Sequence, residues 1–365
     1  MNVLLLSRIT EKTGVGNHMK LLAKTLSELD HKVVVASSVN TIDIDKYAKF
    51  ETINFSTKNP IQLIKNLRKL HKLIKTENID IVHCHHRIAL FYMRLYNIFH
   101  KKKYVWTLHL APIPVRKIDK FYLSKVSKII AVSTEVKEFL IENVKINPNK
   151  IRVIINGVDD KELELPTDEE KVTIRKKYNI PSDKIVILQH ARIDEIKNQI
   201  GMVEAFGELA KEDQDKLRIV FTGEERGSYC DDVKSLAKEL NVLDKIIFTD
   251  WIDARTAIAM SDVLLSPSFK EGFMLSAIEA FLMKIPVIRT NTPGYNDMKE
   301  YCFECKTDKE SIAAWYKKII VDSEKMKQEK IELAYNFAIN NCTASIMTKK
   351  VVDVYLEAIK KRKKS

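Results

Sequence analysis

The stretch at residues 262–281 constrains the fold of this chain more than any other. Residues 262–266 (Asp-Val-Leu-Leu-Ser) are mostly apolar and predict a short buried strand, and a loop carrying Glu271 follows. Apolar side chains then recur densely over residues 275–282, which predicts a buried helix packed against a sheet. Glu271 is therefore predicted at the carboxyl end of a strand, and Glu279 one turn into the next helix.

This arrangement predicts a ligand site that reads both phosphate and hydroxyl groups. Ligands bind at the carboxyl ends of the strands of an open parallel sheet, and the first turn of a helix offers free N–H groups and a positive dipole end. Phosphate suits that helix end, and carboxylates beside it suit hydroxyls, so the pair Glu271 and Glu279 indicates a bound nucleotide sugar. The alternative is that Glu271 only caps the helix and that Glu279 is solvated.

The pattern Glu-Gly-Phe-x-Leu at residues 271–275, followed by Glu279, resembles the donor-site signature of family 4 glycosyltransferases. These are retaining enzymes of the GT-B type. The resemblance implies an α/β fold of two Rossmann-like, doubly wound domains that face each other across a cleft. It also implies donor contacts from the residues that follow Glu271, namely Gly272, Phe273, Met274 and Leu275.

Further donor-binding groups are predicted in the same half of the chain. Arg192 and Lys197 are five positions apart in a loop between a predicted strand and a predicted helix, so both could converge on one diphosphate. Taken alone, two such cations would be solvated, but their spacing resembles the diphosphate clamp of the family. By the same resemblance Gly223 lies in a glycine turn, and Trp251 and Ile252 lie at the strand end that meets the base. Two family glycines are replaced there, which leaves the base open.

The chain begins with a predicted strand, a glycine loop at residues 13–17 and a helix over residues 18–29. This is the start of a βαβ unit, although the loop is neither a dinucleotide fingerprint nor a Walker motif. In the family resembled, the equivalent loop covers the donor phosphates, which makes Gly14 and Gly16 candidate donor contacts. Any tight turn from strand to helix also favours glycine.

Four histidines follow predicted strands of the first half: His83, His85, His86 and His109. Adjacent residues of an extended segment point to opposite faces, and no acidic ligand accompanies His85 and His86, so no metal site is predicted. His109 matches the histidine that the family presents near the reacting sugar. The resemblance thus implies a catalytic set of His109, Arg192, Lys197 and Glu271.

The cysteines do not predict a disulfide framework, because the five are odd in number and scattered. Cys302 and Cys305 form a single Cys-x-x-Cys without a second pair nearby. A zinc or redox site needs more ligands or a redox fold, so these two predict buried or edge-strand cysteines.

The net charge of +12 requires an anionic partner or surface. Residues 61–77 predict a basic amphipathic helix, and basic-aromatic stretches follow at 92–104 and 115–125. The helix could simply pack on its own sheet with a solvated basic face. The neighbouring stretches and the basic end of the chain at residues 360–365 favour adsorption on anionic lipid instead.

The length of 365 residues predicts two domains at ~150 residues each. They are an acceptor domain at residues 1–160, joined by a C-terminal helix at 345–365, and a donor domain at 161–344. The linker is predicted within residues 160–178, and helices are predicted at 309–320, 324–340 and 345–361. No run of ~18 apolar residues occurs, and no basic segment precedes the first apolar run, so a cytoplasmic protein, peripheral on the inner face of the membrane, is predicted.

The sequence therefore predicts a retaining hexosyltransferase that needs no metal or other cofactor. Its donor would be a nucleotide-diphosphate sugar, with uridine diphosphate favoured and guanosine diphosphate mannose still open. Its acceptor would be a hydroxyl of a lipid-linked or cell-surface glycan, as in lipopolysaccharide, capsule or glycolipid. Two alternatives remain, a nucleotide-sugar epimerase of the same fold and a non-catalytic basic protein that binds membrane or nucleic acid. No nucleic-acid module is present, so nucleic acid is not an expected partner.

Overall fold

The computed structural model describes residues 1–11, 13–55, 59–225 and 227–360, with the backbone alone at positions 323, 324 and 327. The chain divides into two units, Met1–Val158 with the chain from Thr343 onward, and Asp159–Cys342. Each unit has its own parallel sheet and its own hydrophobic core. Residues 361–365, which carry most of the predicted basic tail, lie outside the described residues.

The first unit contains a seven-stranded sheet whose described strands are all parallel, in the order β3-β2-β1-β4-β5-β6-β7. The strands are β1 (Asn2–Leu6), β2 (Lys32–Ser37), β3 (Lys49–Thr52), β4 (Ile81–Cys84), β5 (Tyr104–Leu108), β6 (Lys128–Ala131) and β7 (Ile151–Val153). The helices that connect them are α1 (Gly14–Glu28), α2 (Pro60–Thr76), α3 (Arg87–Phe99), α4 (Lys117–Leu123) and α5 (Thr134–Glu142).

The second unit repeats the plan with a six-stranded parallel sheet in the order β10-β9-β8-β11-β12-β13. Its strands are β8 (Ile185–His190), β9 (Leu217–Thr222), β10 (Ile246–Thr249), β11 (Val263–Ser266), β12 (Val287–Thr290) and β13 (Phe303–Cys305). Its helices are α6 (Asp168–Lys177), α7 (Gln199–Gly207), α8 (Lys211–Lys216), α9 (Tyr229–Glu239), α10 (Ala254–Ala259), α11 (Leu275–Leu282) and α12 (Lys309–Asn341). The last helix, α13 (Ala344–Ile359), belongs to the first unit.

The central strands are apolar on both faces because helices cover both sides of a doubly wound sheet. Val3, Leu4, Leu5 and Leu6 of β1 are completely buried. Helix α13 closes the core of the first unit, where Met347 and Tyr355 join the same apolar cluster as Leu5. The predicted α/β fold of two doubly wound Rossmann-like domains is confirmed.

The direction in which strands are added reverses once in each sheet. The reversal lies between the neighbouring strands β1 and β4 in the first unit, and between β8 and β11 in the second. Leu5 pairs with Val35 on one side and His83 on the other, and Leu188 pairs with Val220 and Leu264. Doubly wound sheets bind ligands at the carboxyl ends of the strands at such reversal points. Each unit therefore offers one such place.

Three helical regions of the structure differ from those that the sequence predicts. Helix α1 begins at Gly14, so the predicted glycine loop is its first turn, and the Thr13 side chain caps it by accepting from the Gly16 amide at 3.2 Å. Helix α12 runs unbroken from Lys309 to Asn341, although two helices are predicted there. The Asp and Ser at 322 and 323 resemble a helix cap, but no glycine or proline interrupts the helix.

The third difference is in the predicted linker, where the structure has helix α6. A capping box starts this helix, since Thr167 accepts from the Glu170 amide and the Glu170 side chain accepts from the Thr167 amide. The helix is anchored by Arg175, which bonds to the Asp262 carboxylate at 2.6 Å and to the Met260 carbonyl. The charges that suggested a linker belong to a helix of the second unit.

The five cysteines are all buried, no disulfide bond links them in the described residues, and Cys305 ends the edge strand β13, as predicted. In the described part of the chain, no helix is both long and apolar enough to cross a bilayer.

Candidate active site

The loop after β8 is held against the loop after β11 by a single asparagine. Asn198 has a left-handed backbone with φ of 61° and caps helix α7 through its side chain. The same side chain donates to the carbonyls of Pro267 at 3.2 Å and Thr307 at 2.9 Å. Gln189, on β8, donates to the carbonyl of Lys197 at 2.7 Å. These bonds fix the position of Lys197 beside the reversal point of the second sheet.

Lys197 and Glu271 form an ion pair at this point, with Nζ and Oε1 2.5 Å apart. Both side chains are largely buried, with 15% of Lys197 and 12% of Glu271 exposed. Burial alone would raise the pKa of Glu271, but the charge and the hydrogen bond of Lys197 outweigh it and hold that pKa below its usual value. The Glu271 carboxyl group is therefore ionised at neutral pH.

Arg192 lies in the same loop as Lys197 and pairs with Asp194 at 3.0 Å. Its carbonyl accepts from the Gln199 side chain at 3.1 Å, which ties the loop to the start of α7. Gly223, at the end of β9, has φ of 147°, and a Cβ atom there would lie 2.1 Å from the Ala191 carbonyl oxygen. Gly223 thus lets the backbone approach the loop that carries Arg192, a role in packing that needs no ligand contact.

Helix α11 starts next to Glu271 and presents its amino end at the same place. Phe273 and Met274 are buried, and the helix begins at Leu275. Gly294, with φ of 88°, packs against Phe273, since a Cβ there would lie 3.1 Å from the Phe273 ring. In the described residues no side chain caps this helix end, so its N–H groups and positive dipole are available to an anion.

Glu279 of α11 behaves oppositely to Glu271. It is half-buried, and burial of its carboxyl group raises its pKa to about 7. Among the residues that the structure describes, no cation offsets that effect in the way that Lys197 does for Glu271. Two carboxyl groups of one loop-helix segment thus have pKa values pushed apart, a pattern typical of functional sites.

The other predicted donor contacts are more dispersed. Trp251 and Ile252 follow β10, and 44% of Trp251 is exposed. Gly14 and Gly16 lie in the first unit, in the first turn of α1. A Cβ on Gly16 would lie 1.8 Å from the Glu11 carbonyl oxygen, whereas a Cβ on Gly14 would meet nothing within 4 Å. Close backbone packing therefore accounts for Gly16, and Gly14 borders open space.

The reversal point of the first sheet holds a cluster of three histidines. His18 lies one turn into α1, His85 follows β4 and His109 follows β5. One ring nitrogen of each lies within 4.8 Å of the other two, and His85 Nδ1 is 3.1 Å from His109 Nε2. Burial lowers the pKa of His18 to about 4 and the pKa values of His85 and His109 well below their ordinary range. All three rings are therefore neutral at pH 7.

The neighbouring histidines His83 and His86 have other partners. His86 Nδ1 bonds to the Ser7 hydroxyl at 2.8 Å. His83 is completely buried, bonds to the hydroxyls of Thr107 and Tyr355, and packs against His85 with ring centroids 4.1 Å apart and ring planes tilted by 35°. His83 therefore packs against the cluster of His18, His85 and His109 through its contact with His85.

Sequence reasoning missed His18, Asn198 and Asp194 as parts of these sites. His18 was predicted only as the first residue of a helix, and the structure places it one turn into α1. Asn198 directly follows Lys197, and an asparagine before an apolar helix is a recognisable capping signal.

Comparisons with known proteins agree with this geometry. Residues 12–162 match the family described as Glycosyltransferase Family 4, and residues 170–337 match the family described as Glycosyl transferases group 1. The alpha-monoglucosyldiacylglycerol synthase of Streptococcus pneumoniae is 24% identical over 313 residues, which cover 78% of this chain and 70% of that protein.

Two solved structures are similar over nearly the whole length. A glycosyltransferase from Rickettsia africae has a TM-score of 0.85 at 25% identity, covering 98% of each chain. Anabaena HepE, solved with UDP and glucose, has a TM-score of 0.83 at 15% identity, covering 97% of this chain and 98% of that one, and shows the same fold. The two family matches together span most of both units, and the chain belongs to the group 1, family 4 glycosyltransferases of the GT-B fold.

Proposed function

We propose that this protein is a retaining glycosyltransferase that moves a hexose from a nucleotide-diphosphate sugar to a hydroxyl of a lipid-linked or cell-surface glycan. The observation that carries the proposal is the buried Lys197–Glu271 pair at the reversal point of the second sheet. Arg192 lies in the same loop as Lys197, and the amino end of α11 follows Glu271. Together they offer positive charge for a diphosphate and an ionised acceptor for sugar hydroxyls.

Departure of the diphosphate develops negative charge, which Arg192, Lys197 and the amides of residues 272–275 would stabilise in a preorganised site. Because these positive groups are built into the chain, the proposed reaction needs no metal ion. Lys197 has three N–H donors, so it can keep its bond to Glu271 while it donates to a phosphate oxygen.

The carboxylates are proposed to orient the donor. Glu271 would accept from hydroxyls of the donor sugar, and Glu279 from the ribose hydroxyls. His109, neutral at pH 7, would hydrogen bond the transferred sugar or its transition state. In this proposal the leaving phosphate takes the acceptor's proton, so none of these residues acts as a nucleophile.

The choice of donor and acceptor rests on the relatives. The HepE structure holds UDP and glucose, and the name of the pneumococcal relative describes a glucosyldiacylglycerol. We therefore favour a uridine diphosphate sugar and a lipid-linked acceptor, with guanosine diphosphate mannose as the other donor to test.

A membrane surface is the proposed location of the acceptor. Exposed apolar side chains lie on three helices of the first unit: Ile61 and Ile64 on α2, Ile98 and Phe99 on α3, and Ile118 and Phe121 on α4. Lysines and arginines accompany them, and the guanidinium of Arg94 lies 4.2 Å above the Phe121 ring. Exposed apolar groups among basic ones suit an anionic bilayer and support the proposal of a peripheral location on the inner face of the cytoplasmic membrane.

The test is thermal stabilisation of the purified protein by uridine and guanosine diphosphates and their sugar conjugates, with and without chelator. A nucleotide at a hundredfold excess over its Kd stabilises the fold by about 2.7 kcal/mol. A shift in one series, insensitive to chelator and lost in Lys197→Met, supports the proposal, and no shift with any nucleotide refutes it. The anomeric configuration of the product, read by NMR, then decides between retention and inversion, and return of only an isomerised donor would identify an epimerase.

A further inference from the structure

The three-histidine cluster, defined as His18, His85 and His109, contains ring nitrogens without partners. Among the described residues, His85 Nε2 and both ring nitrogens of His18 lack a hydrogen bond of standard length, although the Asn156 side chain lies close enough to His18 to offset part of the lowering of its pKa. His18 is 4% exposed and His85 is 3% exposed. Buried polar groups without partners are rare in proteins and call for a physical explanation.

The distances within the cluster suit a metal ion. Two imidazole ligands of a tetrahedral Zn²⁺ ion, each about 2.05 Å from the metal, lie about 3.3 Å apart. His85 Nδ1 and His109 Nε2 are already 3.1 Å apart. The largest separation of the three ligand atoms is 4.8 Å, so a closure of about 1.5 Å, within reach of side-chain rotation, completes a three-histidine set.

The donor atoms also decide the kind of metal. In the described residues the ligand atoms that converge in this cluster are imidazole nitrogens. His85 Nδ1 and His109 Nε2 share one proton in their hydrogen bond, and that proton moves to the other nitrogen of its ring when both rings coordinate. Nitrogen ligands suit Zn²⁺ and neighbouring transition metals, whereas Mg²⁺ and Ca²⁺ require oxygen ligands.

We propose that His18, His85 and His109 bind a transition-metal ion such as Zn²⁺, and that the bound ion inhibits sugar transfer by occupying His109. The binding part rests on the histidine geometry alone. The inhibitory part rests on the proposed function, because it needs His109 to be free for the donor sugar. The metal is thus an inhibitor of a reaction that itself needs none.

The experiment measures Zn²⁺ binding to the full chain without nucleotide, by competition with a chromophoric chelator. We expect one high-affinity Zn²⁺ per chain, and at least about tenfold weaker binding in His18→Asn and in His85→Asn. Substituting Co²⁺ should give the absorption of a tetrahedral nitrogen-ligated ion without a thiolate band. Thermal melts check that each variant is folded. If one of the two variants does not fold, Zn²⁺ binding to the other variant still tests the proposal.

The matched control is His71→Asn. His71 and His100 form a separate histidine pair, with ring centroids 4.7 Å apart, which could bind Zn²⁺ on its own. We expect this variant to bind Zn²⁺ as the wild type does. Loss of the high-affinity ion in His71→Asn, equal binding in the wild type and His18→Asn, or no stoichiometric binding at all would overturn the proposal.

A second arm measures donor turnover with chelator and with added Zn²⁺. We expect Zn²⁺ to inhibit the wild type reversibly. The rate of each protein is expressed relative to its own rate without Zn²⁺, and the Zn²⁺ concentration that halves this rate should be at least about tenfold higher for His18→Asn than for the wild type. Stoichiometric Zn²⁺ binding without inhibition would overturn the inhibitory role. Zinc binding in a protein that turns over no nucleotide sugar would support the site and refute the proposed function.

Discussion

Lys197 and Glu271 are separated by 74 residues in the chain, yet the fold brings their charged atoms to 2.5 Å. Lys197 keeps Glu271 ionised in a largely buried place, at the end of the sheet where a diphosphate is proposed to bind. Without Lys197, the Glu271 carboxylate would be buried and unpaired, and its pKa would rise. The lysine therefore has two expected functions, to bind phosphate and to hold Glu271 ionised.

From this we predict that Lys197→Met lowers kcat/KM for the donor by about 10² to 10³, the loss typical of removing one preorganised charge-stabilising donor. The measurement is steady-state turnover of the nucleotide sugar. The control is Lys171→Met, which removes a different lysine–carboxylate bond of the same unit, from Lys171 Nζ to Asp262 at 2.8 Å. Asp262 keeps Arg175 as a partner, so this variant should fold and turn over donor normally. Equal losses in the two variants would mean that Lys197 is merely structural.

Glu279 gives a prediction about pH. Burial raises its pKa to about 7, so in the free protein it is protonated below that pH and must lose a proton to accept from two ribose hydroxyls. The affinity for an intact nucleotide sugar should therefore rise about tenfold per pH unit up to about pH 7 and level off above it. An intact nucleotide sugar is the right ligand, because its diphosphate does not titrate in this range.

Calorimetric titrations from about pH 5.5 to about pH 8.5 measure this dependence. In Glu279→Gln the slope should vanish, and binding above pH 7 should weaken to the low-pH value of the wild type. If the variant kept the full slope, another group would be responsible and the proposed role of Glu279 would be wrong.

At this scale the sequence could predict the groups whose chemistry shows in a local pattern. Glu271, Glu279, Arg192 and Lys197 all lie at strand-to-helix junctions with recognisable spacing. His18 could not be placed, because its role depends on where α1 begins and on two strands that follow about 65 and 90 residues later. That the Lys197 and Glu271 side chains pair with each other likewise depends on tertiary structure.

The elements themselves show a similar division. Strands with continuous apolar runs, such as β1 and β11, were predictable because burial on both faces leaves no polar positions. Helix boundaries were harder, since they depend on single capping bonds. Because Thr13 caps α1, the helix begins at Gly14, four residues earlier than predicted. Because the chain has no break at residues 322–323, the two helices predicted there form the single helix α12.

The start of α1 provides a matched pair of substitutions. Gly16→Ala should destabilise the protein by about 1–3 kcal/mol, because its Cβ would lie 1.8 Å from the Glu11 carbonyl oxygen and the backbone there must shift. Gly14→Ala, two residues earlier in the same turn, has nothing within 4 Å and should change stability by less than about 1 kcal/mol, in either direction. Denaturant melts of both variants measure the free energies of unfolding. Equal effects would show that the close approach of α1 to Glu11 does not constrain the turn.

For the whole molecule, the repeated βαβ pattern predicted two doubly wound domains, and composition predicted an anionic partner. Charge alone did not identify that partner, because the net charge of +12 suits a membrane, a nucleic acid or a diphosphate equally. The structure adds which apolar side chains stay exposed beside the basic ones. On α2, Ile61 and Ile64 are 64% and 50% exposed, whereas Leu70 and Ile74 pack inside. The first half of that helix is therefore predicted to meet the bilayer.

This leads to a prediction for the triple variant Lys65→Gln, Arg68→Gln and Lys72→Gln, three exposed positions of α2. Each basic residue near an anionic bilayer contributes about 1 kcal/mol, so binding to vesicles rich in phosphatidylglycerol should weaken at least about tenfold. The measurement is cosedimentation at low ionic strength, and salt should weaken the wild type progressively. Turnover of a water-soluble acceptor analogue should be unaffected, because none of these residues is proposed to contact the donor.

The matched control removes the same charge from exposed positions of the second unit, by Lys211→Gln, Lys238→Gln and Lys317→Gln. If only net charge governed adsorption, both triple variants would lose affinity equally, and the proposed membrane face would be wrong. If α2 inserts its exposed isoleucines, the α2 variant should lose more, and adding Ile61→Ser and Ile64→Ser should weaken binding further at high salt. Electrostatic attraction is screened there and apolar burial is not, so the high-salt result separates insertion from simple charge attraction.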